Sequence, residues 1–306
     1  MGRGLQMAAG LCGLALFSCE RTAPATAPQA TASSAGKSVL VTGGTKGIGL
    51  ATALAFGRRG AACTLTYRFG SADEDDLRRL FAEAGAPEPL ILQADAADAD
   101  DTKAVLDAMA ARFGQVDVFI SNVSAALVVQ TIEDYSRKGL QQSIDFSAWP
   151  TVSYMRAIKE RFGRWPRYVV AMSSTGPDQY AVAYDYVAAS KAVLETLIKY
   201  LSYRLYDEEC FINALRSRSV RTDSFSSTFG ADFERFAKRF AREEHFLPPE
   251  EVADCALALC SGLLDGIRGQ ILTVDRGTSF FDNFMRLYNE RAQFGAAWTD
   301  AVSVTG

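Results

Sequence analysis

The segment YDYVAASKAVLETL, residues 184–197, carries two phenols and an ammonium at spacings that helix geometry can test. In a helix each residue turns about 100°, so Tyr186, five positions before Lys191, lies about 140° away around the axis and faces elsewhere. Tyr184, seven positions before, falls within about 20° of Lys191 and about 10.5 Å from it along the axis. These two can share a site. A phenol in such a site is able to donate a hydrogen bond, and an ammonium supplies positive charge. The other reading of Tyr184 is a packed aromatic pair with Tyr180, their hydroxyls reaching water.

A reactive pair needs a scaffold, and the chain supplies one from Lys37 onward. SVLVTGGTKGIGLATALAFGRRG is an apolar run, a glycine-rich turn, then apolar residues at helical spacing: strand, phosphate loop, helix. Gly43 permits the tight turn, Gly47 lets the backbone approach a pyrophosphate, and Gly49 allows close packing, with Thr45, Lys46 and Ile48 as further loop contacts. A second strand, ACTLTYRF, ends at Arg68, where a dinucleotide site reads the adenosine ribose. A basic residue there favours a 2′-phosphate, and Lys46 offers a second cation, so the expected cofactor is NADPH. Both can also be plain solvated charges.

Strands and helices continue to alternate: an acidic helix at about 72–85, PLILQADAAD, a helix at about 101–113 closed by Gly114, then QVDVFISNVS. The expected fold is α/β, a doubly wound parallel sheet of the Rossmann type with ligands at the carboxyl ends of the strands. Asp95 and Ala96, and Asn122 in Ser121-Asn122-Val123-Ser124, fall at two such ends. Asp95 is placed to hold adenine, and Asn122 to anchor the strand or line the cofactor; turn capping is the competing role for both. The expected organisation is an extension over 1–36, one domain over 37–280 and a helical tail over 281–306. Within the domain, 223–247 is expected to form a lid, because Phe229, Phe233, Phe236 and Phe240 recur at helical spacing. That face equally suits core or a subunit interface.

Composition narrows the functional classes. The chain has 306 residues, 48% of them hydrophobic and 22% charged, with a formal net charge of -4, which suits a large core and argues against nucleic acid as a partner. Cysteines 12, 19, 63, 210, 255 and 260 form no CxxC pair and His245 is the one histidine, so a Cys/His metal site is not expected. His245 reads as a surface residue. Residues 1–36 resemble a secretory signal followed by an Ala/Thr/Pro/Ser-rich linker, with Leu16-Phe17-Ser18-Cys19 similar to a lipoprotein processing site. The alternative is a mis-assigned start or a disordered extension. Cytosolic NADPH would not reach an exported lipoprotein, so the cytoplasm is expected, with a lipid anchor through Cys19 as the alternative.

The glycine loop, the strand RYVVAMSS, Lys191 and the closing GQILTVDRG together resemble the short-chain dehydrogenase/reductases over about residues 37–280. In the family's keto-reducing members a tyrosine stands four residues before the lysine and thirteen after a serine. Counted from Lys191 and Ser174, that position is Val187. The Tyr-x6-Lys spacing of Tyr184 and Lys191 instead resembles the enoyl-acyl-carrier-protein reductase branch, with Tyr180 also in a matching place. The resemblance implies hydride transfer from NADPH to the β-carbon of an enoyl thioester on an acyl carrier protein or coenzyme A, with Tyr184 at the thioester oxygen and Lys191 on the nicotinamide ribose. It also implies Val220 and Thr222 at the carboxamide, Ser124 and Tyr180 toward substrate, and a homotetramer.

Several residues depart from the family pattern. Ser121-Asn122-Val123-Ser124 replaces Asn-Asn-Ala-Gly, Asp145 stands for a helix asparagine, Ser217-Arg218 for Pro-Gly, and Asp275-Arg276-Gly277 for Asp-Gly-Gly. Ser173 and Ser174 are candidate oxyanion donors or simple strand caps. A ketoreductase or other carbonyl reductase, and a cofactor-binding regulator or scaffold without turnover, are the competing functional readings.

Overall fold

The computed structural model describes residues 33–69, 72–124, 127–222, 233, 235–237 and 239–293. Cys12 and Cys19, Phe229 and residues 223–232, 234 and 238 of the expected lid, and the end of the tail lie outside the described residues. Seven parallel strands form one sheet in the order β3-β2-β1-β4-β5-β6-β7. They are β1 (Ser38–Val41), β2 (Ala62–Tyr67), β3 (Leu90–Gln93), β4 (Val118–Ser121), β5 (Tyr168–Ser174), β6 (Phe211–Ser217) and β7 (Ile271–Val274). The helices are α1 (Gly47–Gly57), α2 (Glu74–Glu83), α3 (Ala99–Phe113), α4 (Arg137–Ser147), α5 (Trp149–Phe162), α6 (Asp185–Arg204), α7 (Pro249–Leu259) and α8 (Asn283–Asn289).

The central strands read as unbroken apolar runs because both faces of the sheet are covered. Alternate residues serve different layers. Val118, Ile120, Val170 and Leu215 pack with Phe56 of α1, Phe81 of α2 and Val252 of α7. Phe119, Val169 and Ile212 pack on the other side with Met109 of α3, Tyr154 and Ile158 of α5, and Leu194 and Ile198 of α6. Strand order reverses between β1 and β4, which opens a crevice at their carboxyl ends. Local signals set the boundaries: the Asp98 side chain accepts from Asp100 and Asp101 at the start of α3, and Gly114 ends it at φ 71.

One boundary corrects the helical construction around the tyrosines. Helix α6 begins at Asp185, so Tyr184 is its N-cap, at φ -107 and ψ 7, and not a residue of the first turn. The preceding Ala183 has φ 58, a left-handed turn that brings the chain sharply into the helix. Rotation by 100° per residue therefore holds from Asp185 onward, and the phenol is aimed by the turn before it. Cys63, Cys210, Cys255 and Cys260 are all free.

Candidate active site

The glycine loop closes the crevice at one end, and its glycines meet backbone or side chain where a Cβ would stand. At Gly49 a Cβ would lie 2.2 Å from the Gly43 carbonyl oxygen and 2.7 Å from Asn122 Nδ2. Gly43 has φ 63, and Gly47 has φ 49 with Thr222 Cγ2 3.0 Å from its would-be Cβ. Thr45 is buried, while Lys46 is exposed and caps α1 without a side-chain hydrogen bond. The first amides of α1 thus face the loop as donors for an anion. Asn122 acts as the strand anchor: Nδ2 donates to the carbonyls of Thr42 at 3.1 Å and Gly43 at 3.0 Å, and its backbone N–H donates to Thr42 Oγ1. A tight cradle bounded by backbone is what a pyrophosphate requires, so these residues fit a dinucleotide.

Beyond Gly43 a cavity of about 190 Å³ is lined by Arg68, Phe69, Asp95, Ala96, Ser124 and Phe146, among others. Arg68 Nε pairs with Asp95 Oδ2 at 2.9 Å, and the guanidinium lies 4.6 Å from the Phe69 ring centre and 4.5 Å from that of Phe146. The other Asp95 oxygen accepts from the Ala97 amide at 3.0 Å, so Asp95 serves as turn cap and arginine partner together. Lys46, expected beside Arg68, is not among the residues lining this cavity. Ser124, expected toward substrate, lines it instead and lies 3.1 Å from Ser147 Oγ. Phe146 was not anticipated; an aromatic on α4 above the end of β2 is a tertiary neighbour that spacing cannot reveal.

At the other end, Tyr184 lines a cavity of about 360 Å³ with Tyr135, Gly176, Gln179, Tyr180 and Ala188. A Cβ on Gly176 would stand 2.8 Å from the Tyr184 ring, so the glycine lets the phenol lie against the end of β5. Burial raises the Tyr184 pKa above the ordinary tyrosine value, and a hydrogen bond with Ser174 opposes that rise. Tyr186, expected to face elsewhere, lines the same cavity, with its hydroxyl donating to the Ser136 carbonyl at 3.0 Å and its ring meeting Tyr135 edge-on at 5.5 Å. Tyr180 is 86% exposed at the cavity mouth. The position four before the lysine is filled by Val187, which is buried in the fold.

Lys191 is buried and is not among the residues that line this cavity; its Nζ donates to the Met172 carbonyl at 2.7 Å. Burial lowers its pKa to about 8, with Glu195 acting in the opposite sense. Ser173 does not act as an oxyanion donor here, because its hydroxyl donates to Glu195 Oε1 at 2.6 Å; only Ser174 of the serine pair is beside Tyr184. Glu195 went unnoticed in the sequence, although an acid one helical turn after Lys191 on an otherwise apolar face was the available signal. Val220 is buried and bridges to Leu247, and Thr222 packs on Gly47 at the cradle. Asp145 accepts from Gln141 at 2.9 Å.

A family model described as enoyl-(acyl carrier protein) reductase matches residues 43–279. The chain belongs to the short-chain dehydrogenase/reductase family. It is 25% identical over 259 residues to the enoyl-[acyl-carrier-protein] reductase [NADH] of Aquifex aeolicus, covering 82% of this chain and 94% of that protein. It is 28% identical over 255 residues to 3beta-hydroxysteroid dehydrogenase 1 of Eggerthella lenta, covering 81% of this chain and 96% of that one. The fold also matches L-sorbose reductase from Gluconobacter frateurii, solved with NADPH and L-sorbose, with a TM-score of 0.70 at 21% identity over 80% of this chain and 97% of that chain. As a member of this family the protein is a nicotinamide-dependent oxidoreductase. Among the described residues, no helix is long and apolar enough to cross a membrane, and no cluster of His, Cys, Asp and Glu could hold a metal ion.

Proposed function

We propose that this reductase saturates the C2=C3 double bond of an enoyl thioester, with NADPH as its reductant. The observation that carries this reading is the pairing of Tyr184 with Ser174 at the pocket, with buried Val187 where a keto-reducing tyrosine would stand. When bound, the reduced nicotinamide supplies the hydride. Tyr184 donates a hydrogen bond to the thioester oxygen as negative charge develops there, and Ser174 orients the phenol. Lys191 holds the ribose hydroxyls and places positive charge beneath the phenol. Arg68, fixed between two rings at the adenosine end, is the residue that receives a 2′-phosphate. Gly43, Thr45, Gly47, Ile48 and Gly49 hold the pyrophosphate, and Asp95, Ala96, Val220 and Thr222 complete the cofactor site.

The acyl group is carried by an acyl carrier protein or coenzyme A, and the enzyme works in the cytoplasm as a homotetramer in this reading. A carbonyl reductase is the competing reading, favoured by the likeness to a hydroxysteroid dehydrogenase. One assay separates them: consumption of NADPH, and of NADH in parallel, with a crotonyl thioester and an acetoacetyl thioester. Oxidation with crotonyl alone is expected. Turnover of acetoacetyl alone selects the carbonyl reading, and cofactor binding without turnover selects a regulator. Tyr184→Phe should lower kcat by about 100-fold or more while the protein stays folded; unchanged turnover rejects the role given to this phenol.

A further inference from the structure

A second cluster of charges lies beside the pocket, and apart from the pull of Glu195 on Lys191 it has no part in the chemistry above. Arg216 stands opposite Ser173 in the β5–β6 pairing, and its guanidinium spans two elements. Nε donates to Glu195 Oε1 at 2.9 Å, Nη2 pairs with Glu195 Oε2, and Nη1 pairs with Asp178. Ser173 completes the carboxylate of Glu195. Side-chain exposure rises from 7% at Glu195 through 15% at Arg216 to 64% at Asp178, so the cluster is rooted in the interior and ends at the surface.

Stability alone is a weak reason for such a group. Desolvating a carboxylate and a guanidinium offsets most of their attraction, and apolar replacements of a buried pair are often neutral or stabilising. The outward end shows what the cluster holds. Asp178 precedes Gln179, Tyr180 and Ala181, which line the cavity beside Tyr184. The amides of Asp178 and Gln179 donate to the Thr175 carbonyl, a turn at the start of this wall, and the wall closes at Ala183 with φ 58. Arg216 is the side-chain tie between this wall and the buried face of α6.

We propose that Arg216 is a positioning residue: anchored on Glu195, it holds Asp178 and so fixes the Gln179–Ala181 wall against which the acyl part of the substrate lies. This rests on the enoyl thioester reading. Arg216 itself touches neither substrate nor cofactor. A planar fork is required, because it must satisfy both Glu195 oxygens and still reach Asp178, which a lysine's single point charge does not do.

The test is steady-state kinetics with crotonyl thioester and NADPH on the full-length enzyme. Asp178→Asn and Arg216→Lys should each raise the thioester KM about five-fold while kcat and the NADPH Kd stay within about two-fold. The double variant should be no worse than either single one, and Asp178→Glu should keep a KM near wild type. Additive losses, or a KM unchanged in Asp178→Asn, overturn the proposal. A fall in kcat and NADPH affinity together with KM marks general damage and overturns it too. Should the wild-type enzyme leave the thioester unreduced, the functional reading fails separately. Hydrogen exchange of the 175–184 peptide then decides the positioning claim: faster exchange in both single variants sustains it, and wild-type rates refute it.

Discussion

The cofactor half and the tyrosine half of the crevice make their sharp turns by different means. Among the described residues up to 163, positive φ belongs to glycines: Gly36, Gly43, Gly47, Gly60, Gly85, Gly114 and Gly163. Beyond β5 three residues with side chains adopt it as well, Ala183, Ser219 and Arg276. A left-handed turn costs a non-glycine residue about 1 kcal/mol or more, so each needs neighbours that hold it. Arg276 is held by Glu251 and the Glu244 carbonyl, Ser219 accepts from the Leu247 amide at 3.0 Å, and Ala183 leads directly into Tyr184 beside Ser174. The glycine loop therefore offers bare backbone at no conformational cost, whereas Ala183 stores strain directly before the phenol.

The contrast breaks most readily at the cradle. Gly49→Ala drives a Cβ into the Gly43 backbone carbonyl, which has no flexible end to move, and should cost about 3 kcal/mol in urea unfolding with cofactor affinity down at least about ten-fold. A cost near zero would mean that the loop is loose and the comparison empty.

The next effect is read with pH. Lys191 sits on the tyrosine side with a pKa lowered to about 8 by burial, against 10.5 for the ordinary lysine. Its charge, and with it cofactor affinity and turnover, should decline as pH rises through about 8. Stability moves the other way: between 8 and 10.5 the unfolded chain binds more protons than the folded one, so this residue's contribution to folding increases with pH. Below 8 the contribution is flat. Melting temperature against pH for wild type and Lys191→Met checks the sign, since the difference between the two curves should slope only in that window.

Arg68→Gln sharpens the cofactor half. It should weaken NADPH by about ten-fold and leave NADH within about two-fold, measured by fluorescence titration. Equal losses for both would show that Arg68 serves only its pair with Asp95. The smallest effect belongs to Ala183→Gly, which removes strain and should stabilise the fold by under about 1 kcal/mol while lowering kcat about three-fold, as the turn before Tyr184 loosens. A rise in kcat would mean that the strain hinders the phenol.

The doubly wound sheet and the glycine cradle were legible from residue order. Both depend on short-range physics: apolar periodicity and the φ that glycine alone takes freely. Asn122 is an intermediate case, since its strand-end position was readable but its choice between anchor and cofactor contact was not. The sequence could not place Tyr184 at the N-cap, send Ser173 to Glu195, put Ser124 in the cavity with Arg68, or join Arg216 to Asp178. Two of those outcomes pair residues 22 and 38 positions apart, Ser173 with Glu195 and Arg216 with Asp178. Such partners are chosen by which side chains the packed sheet brings within about 3 Å, and hydrogen-bond energy rewards that proximity only after the chain has folded.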